Sequence, residues 1–274
     1  MSSFTELTSS KRLYLELDKL QKKSSTRPND NIQEHLKNME NVPNNLTSIL
    51  SFSLQKYKNF VYDQGDLGSC TANAACAAYK VLNNIKHGDS FEPSRLFYYY
   101  NERVLEGTIS QDSGADVVDG EKFSETHGIC SEQLWPYDIS KFSEHPTAKC
   151  YHDAVKHKIK KFSVIPVNAE SIIHIKSILV SKIPVLLAIA IYESFESETV
   201  STTGIVPMPN TDTEKLLGGH EVLIIGFDDS SKRFLVANSW GPDFGIPDKT
   251  GTFYLPYDYI LNTNLTYELT YFII

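Results

Sequence analysis

Val61-Tyr-Asp-Gln-Gly-Asp-Leu-Gly-Ser-Cys70-Thr-Ala-Asn-Ala-Ala-Cys-Ala-Ala-Tyr79 changes character at Cys70. Turn formers precede it: Gly65, Asp66, Gly68 and Ser69. Mostly alanine follows, with no glycine or proline before Gly88. The pattern predicts a loop running into a helix, with Cys70 in the first turn and the helix reaching about Asn84. A helix N-terminus carries unpaired N–H groups and about half a positive charge, and both favour thiolate over thiol. A free thiol titrates at about 8.5, and such a setting can lower that to roughly 3.5–7.5. Two readings stand from this stretch alone: an activated nucleophile, or a small residue packed in an alanine-rich helix. Cys76 lies about 240° further round the helix and reads as core.

Two later stretches bear on that choice. Gly218-Gly-His220-Glu-Val-Leu-Ile-Ile-Gly-Phe227 brings a histidine into an apolar strand, and Arg233-Phe-Leu-Val-Ala-Asn238-Ser-Trp-Gly241 ends a second strand on an asparagine. Asp228-Asp-Ser-Ser231 between them makes the pair a β-hairpin. His220 follows Cys70 by 150 residues and Asn238 follows His220 by 18. A cysteine followed at that distance by histidine and asparagine is the chain order of one class of thiol hydrolases.

With Gln64-Gly-x-x-Gly68-Ser-Cys70, Gly219-His220 and Asn238-Ser-Trp-Gly241 in place, the chain resembles the papain-like (C1-type) cysteine peptidases over about Asn59 to Tyr259. Ser94-Arg-Leu-Phe-Tyr-Tyr-Tyr-Asn101, Leu134-Trp-Pro-Tyr137 and Tyr192-Glu-Ser-Phe195 make it most similar to a bacterial-type branch. The resemblance implies Cys70 as nucleophile, His220 as base, Asn238 as its orienting partner and Gln64 as an oxyanion donor. It also implies substrate contacts at Gly114, Gly219 and Trp240. Backbone pairing at Gly114 would hold an extended peptide, as in β-augmentation, and only glycine allows so close an approach. The chain departs from the family at three points. Leu67 stands where papain has a disulfide cysteine, Thr71 where a tryptophan usually follows the nucleophile, and Glu221 where a small residue usually follows the histidine. Thr71 and Glu221 leave the chemistry standing and alter the cleft.

Composition sets the outer bounds. The 274 residues are 41% hydrophobic and 22% charged, which is ordinary for one large globular domain or two small ones. A net charge of −8 argues against a general nucleic-acid binder. No apolar run approaches the roughly 18 residues of a membrane span. Met1-Ser-Ser-Phe-Thr-Glu lacks the pattern of a secretory signal, which favours an intracellular or particle-packaged protein over classical secretion. No metal-ligand spacing is apparent, and neither metal nor cofactor is expected. Cys130 and Cys150 could pair as a disulfide, but without a secretory signal the default is two free thiols, and Cys150 and His152 read as part of a solvated stretch.

Residues 1–48 read as an N-terminal extension. Leucines at 13, 15, 17 and 20 permit a helix over 11–22, Ser24 to Asn31 is a linker, and a second helix is expected to Met39. Family habit makes this a candidate pro-segment, an intramolecular inhibitor lying across the cleft of a zymogen. Residues 49–274 are the expected peptidase domain, helical over about 60–160 and stranded over about 161–274. Helices are expected from Pro93 or Ser94 through Tyr100, up to Thr126, and over 169–181. Strands are expected at 162–167, 184–192, 220–227, 234–237, 252–255 and 267–274. The fold class is therefore α+β, with a helical left lobe, an antiparallel β-barrel-like right lobe and the site between them. The implied activity is endopeptidase hydrolysis of peptide or protein substrates. The alternatives are a specialised amidase or acyl transferase, or an impaired homologue that only binds peptides.

Overall fold

The computed structural model describes residues 46–88 and 90–274. The two helices expected within residues 1–45 lie outside the described residues. From Leu46 the chain makes a short 3-10 turn and then β1, Ser51–Ser53. This stretch joins the sheet: Phe52 pairs with Phe227 in antiparallel register.

Three long helices follow: α1 (Cys70–His87), α2 (Arg95–Glu106) and α3 (Val117–Thr126). Helix α1 is buried along Cys70 to Asn83, so it is a core helix rather than a surface one. Its alanines keep its profile slim enough to pack against α2, α3 and the sheet at once. Ser94 caps α2 by accepting from the Phe97 N–H, and Gly107 closes it in the left-handed conformation. Helix α2 thus outruns its expected end at Tyr100 by six residues. Asp116 caps α3 through the Val118 N–H. Gly120 is required by the α2–α3 contact, since a Cβ there would lie 2.1 Å from a ring carbon of Tyr98.

A short helix, α4 (Ala148–Ala154), has no counterpart among the expected elements. It buries Cys150 against Cys130 in a cluster with Phe97, Phe123 and Ala154. Cys150 is therefore core, not solvated surface; the polar neighbours that suggest otherwise are the outer face of the helix. All four cysteines are free.

The second half supplies β2 (Lys161–Val164), α5 (Ser171–Val180), β3 (Val185–Tyr192), α6 (Glu198–Thr203), β4 (Leu216–Asp228), β5 (Arg233–Ala237), β6 (Thr252–Pro256), α7 (Tyr257–Leu261) and β7 (Thr266–Ile273). The sheet runs β2-β7-β3-β4-β5-β6, and β1 pairs with β4 beyond the end of β3. All its ladders are antiparallel, and β2 and β6 remain as separate edges. The expected hairpin is β4–β5, with Phe227 opposite Phe234. Helices first and antiparallel sheet second give the expected α+β fold, with α1 lying against β4 where the halves meet.

Candidate active site

Cys70 is the first residue of α1, where its backbone N–H has no partner within the helix. Its side chain is fully buried and packs with Val117 of α3 and Ala188 of β3, with Tyr267 of β7 against them. Burial raises the thiol pKa, and the negative charges of Glu221 and Glu102 act in the same direction. Backbone hydrogen bonds from Glu221 and Thr71 act in the opposite direction. The helix that begins at Cys70 packs along β4, the strand that carries His220 and Glu221.

His220 is paired with Ile189 across the β3–β4 ladder and is fully buried. Its Nε2 lies 2.8 Å from Asn238 Oδ1. An amide oxygen only accepts, so Nε2 donates, and Nδ1 is the nitrogen left with a lone pair for the thiol proton. Asn238 Oδ1 also accepts the Ser239 N–H at 2.8 Å, which holds the amide in that orientation. The Trp240 ring stacks on the imidazole at 4.7 Å between centroids and 25° between planes. Phe195 and Phe244 meet Trp240 edge-on at 5.6 and 4.8 Å. That aromatic wall keeps water from the His220–Asn238 bond.

Gln64 is buried and held at both ends of its amide. Oε1 accepts from Ser239 Oγ at 2.7 Å, and Nε2 donates to Leu67 O at 3.1 Å. The amide nitrogen carries two protons, so one remains for a second acceptor. The Gln64 N–H donates to Ser239 O at 2.8 Å, and its carbonyl accepts from Tyr137 Oη at 2.9 Å. The segment before Cys70 and the Asn-Ser-Trp segment after β5 are thus tied together by Gln64 and by the Asp63–Trp240 bridge.

Two expected substrate contacts stand in engaged positions. Gly114 has φ +67°, and its N–H donates to Tyr99 Oη at 3.1 Å. Its backbone donor is therefore directed into the fold and not towards an incoming peptide. Gly219 is buried in β4 and paired with Ala190 of β3.

Several contributors carry no motif. Arg95 lies between the Tyr62 and Tyr137 rings, 4.4 and 3.9 Å from their centroids, and donates to Asp63 O and Asn73 Oδ1. Asn73 in turn donates to the carbonyl and hydroxyl of Ser69, the residue before Cys70. Near Cys70, five buried carboxyl groups gather from two helices, the cap of one of them and two strands: Glu102, Asp116, Glu121, Glu221 and Glu268. Thr71 Oγ1 donates to Glu102 at 2.9 Å, and Thr270 donates to Glu121. Burial raises the Glu221 and Glu102 pKa values well above the ordinary carboxyl range. For Glu221 the charges of Glu121, Glu102, Glu268 and Asp116 add to that shift. A hydroxyl partner for Glu102 is legible in principle, since Thr71 departs from the usual residue. Among the described residues no group of three His, Cys, Asp or Glu side chains could hold a metal ion. No described helix is long and apolar enough to cross a membrane.

Comparison with known proteins matches this arrangement to a family. Residues 51–259 fit the model of the papain family cysteine proteases. An uncharacterized peptidase C1-like protein of Acanthamoeba polyphaga mimivirus is 42% identical over 209 residues, spanning 74% of this chain and 66% of the viral protein. A probable cysteine protease of Arabidopsis thaliana is 29% identical over 189 residues, spanning 66% of this chain and 46% of its own length. The chain thus matches about two thirds of the viral relative and about half of the plant one. Among solved structures, xylellain, a cysteine protease from Xylella fastidiosa, superposes with a TM-score of 0.75 at 35% identity, covering 85% of this chain and 90% of its own. Procathepsin B S9 from Trypanosoma congolense shares the fold with a TM-score of 0.67 at 17% identity, covering 93% and 86%. With the family model spanning most of the chain over a Cys70, His220 and Asn238 in this order, the chain belongs to the papain family of cysteine proteases.

Proposed function

We propose that the protein is a cysteine endopeptidase acting through Cys70, His220 and Asn238. The observation that carries the reading is the His220 Nε2–Asn238 Oδ1 bond at 2.8 Å, on a strand against which the helix that begins at Cys70 is packed. His220 Nδ1 takes the thiol proton. The resulting thiolate adds to the scissile carbonyl, and negative charge moves to its oxygen. The free N–H of Gln64 and the backbone N–H of Cys70 hold that oxyanion. As the carbon–nitrogen bond breaks, the imidazolium gives its proton to the departing amine. Water, losing a proton to His220, then cleaves the thioester, and the proton returns to the sulfur. Cys70→Ala is expected to abolish both peptide hydrolysis and labelling by a thiol-directed epoxide, with the thermal transition retained. Turnover preserved in that variant would sink the assignment.

The N-terminal segment belongs to the same proposal, as the part that blocks the cleft before activation. Full burial of both Cys70 and His220 supports it, because a peptide carbonyl reaches the sulfur only after some cover is displaced. The fold neighbours include proforms, procathepsin B S9 among them. Removing residues 1–48 is expected to raise kcat/KM. Equal turnover with and without them would refute the blocking role.

A further inference from the structure

All four cysteines are free, so the nucleophile loop is held without a covalent tie among the described residues. The structure assigns that task to Asp112, as a positioning residue for the oxyanion donor Gln64. The Leu67–Gly68 peptide unit is gripped from both sides. Its carbonyl accepts from Gln64 Nε2 at 3.1 Å. Its N–H donates to both carboxylate oxygens of Asp112, at 3.1 and 3.0 Å. Asp112 comes from the loop after α2, 44 residues on in sequence. A carboxylate accepting from one end of a peptide polarises the unit and strengthens the carbonyl at the other end as an acceptor. Asp112 thereby fixes the plane on which the Gln64 amide rests.

Asp112 is itself held in place. Tyr99 Oη donates to it and accepts the Gly114 N–H at 3.1 Å, so the same network holds the loop two residues further on. Arg103, fully buried, donates to the carbonyls of Ile109 and Gln111 at 2.8 and 3.1 Å and stacks over the Tyr99 ring at 4.0 Å. These contacts fold the loop so that Asp112 arrives at Gly68. Gly68 has no room for a bulkier residue without moving that carboxylate, since a Cβ would lie 3.1 Å from Asp112 Oδ1. Asp112 reaches the surface, so truncating it opens no internal cavity.

This inference rests on the proposed peptidase mechanism, and its test separates the two. Wild type, Asp112→Asn, Asp112→Ala, Gln64→Ala and the Gln64→Ala/Asp112→Ala double variant are compared, with kcat expressed per active site titrated with a thiol-directed epoxide. Loss of an oxyanion donor is expected to lower kcat by about a hundredfold in Gln64→Ala, and loss of its positioning by about tenfold in Asp112→Ala, with Asp112→Asn between wild type and Asp112→Ala. The double variant is expected to be no more than about twofold slower than Gln64→Ala, because Asp112 then has nothing left to position. Alkylation of Cys70 by iodoacetamide, which develops no oxyanion, is expected to stay within about threefold of wild type in Asp112→Ala. Unchanged kcat in Asp112→Ala would overturn the assignment of Asp112 and leave the peptidase reading standing. So would multiplicative losses in the double variant, or a loss confined to the fraction of titratable sites. A wild type without turnover both with and without residues 1–48 would overturn the peptidase reading, and the role of Asp112 with it.

Discussion

Replacing Glu221 with glutamine removes the carboxyl group at the centre of the buried acidic cluster, and its effect on stability should depend on pH. Glu221 is 2% exposed and faces Glu121, Glu102, Glu268 and Asp116. Burial first, and those charges second, raise its pKa well above the ordinary value. The folded chain therefore keeps a proton that the unfolded chain, with a glutamate near about 4.3, has released. Stability rises with pH only where the unfolded state binds more protons; here the folded state binds more, so stability falls as pH climbs from the ordinary carboxyl range towards the raised value. The loss is about 1.4 kcal/mol per pH unit for one group, or roughly 2.7 kcal/mol from pH 5 to pH 7 if the group stays protonated in the fold. In a domain of this size that corresponds to about 5–10 °C in Tm. Glutamine has nearly the same volume, carries no charge and escapes the penalty. Self-digestion is avoided by comparing Cys70→Ala with Cys70→Ala/Glu221→Gln by scanning fluorimetry at pH 5, 6 and 7. The Tm advantage of the double variant should grow by about 5–10 °C over that range. A difference that stays flat within about 1 °C would show that Glu221 releases its proton alike in both states, and the burial argument would be refuted.

Three shorter expectations follow from the same contacts. In the active protein, Glu221→Gln should speed iodoacetamide alkylation of Cys70 increasingly as pH rises, because the Glu221 charge raises the thiol pKa; a pH-independent ratio would contradict this. Thr71→Val removes the hydroxyl that donates to the buried Glu102 and should cost about 1–3 kcal/mol in urea unfolding, an effect absent if Glu102 finds water. Arg95→Met keeps the stem between Tyr62 and Tyr137 but loses the bonds to Asp63 O and Asn73; kcat should fall while circular dichroism is unchanged, and full activity would remove Arg95 from the support of the nucleophile loop.

The parts of the site legible in the sequence are those where one element carries several informative residues together. Gly68-Ser-Cys70 and the alanines behind it state both a loop and a core helix, and α1 begins at Cys70 as they require. His220 and Asn238 sit on the two arms of one hairpin, so their approach to 2.8 Å is a local matter of register. Asp112 and the buried carboxyls are illegible for the opposite reason. Glu102 comes from α2, Glu121 from α3, Glu221 from β4 and Glu268 from β7, and each looks like an ordinary solvated charge within its own segment. Only the contact of the helical half with the sheet collects them. β1 and α4 leave no mark in the sequence because three and seven residues are too few for a period to show.

The same contrast bears on how the nucleophile is tuned. The helix N-terminus at Cys70 favours thiolate, as the sequence alone suggests. Yet burial and two nearby glutamates raise the thiol pKa in the folded chain. Both influences act on one sulfur, and the balance changes with the protonation of Glu221 and Glu102. While those carboxyls hold their protons, only burial raises the thiol pKa against the backbone hydrogen bonds of Glu221 and Thr71. Once they ionise, repulsion joins burial and the thiol pKa rises further, so each step towards alkali yields less thiolate than it would for an isolated thiol. Ionisation of the buried acids therefore broadens the titration of Cys70, and a solvated cysteine at the same helix end would titrate as a single group.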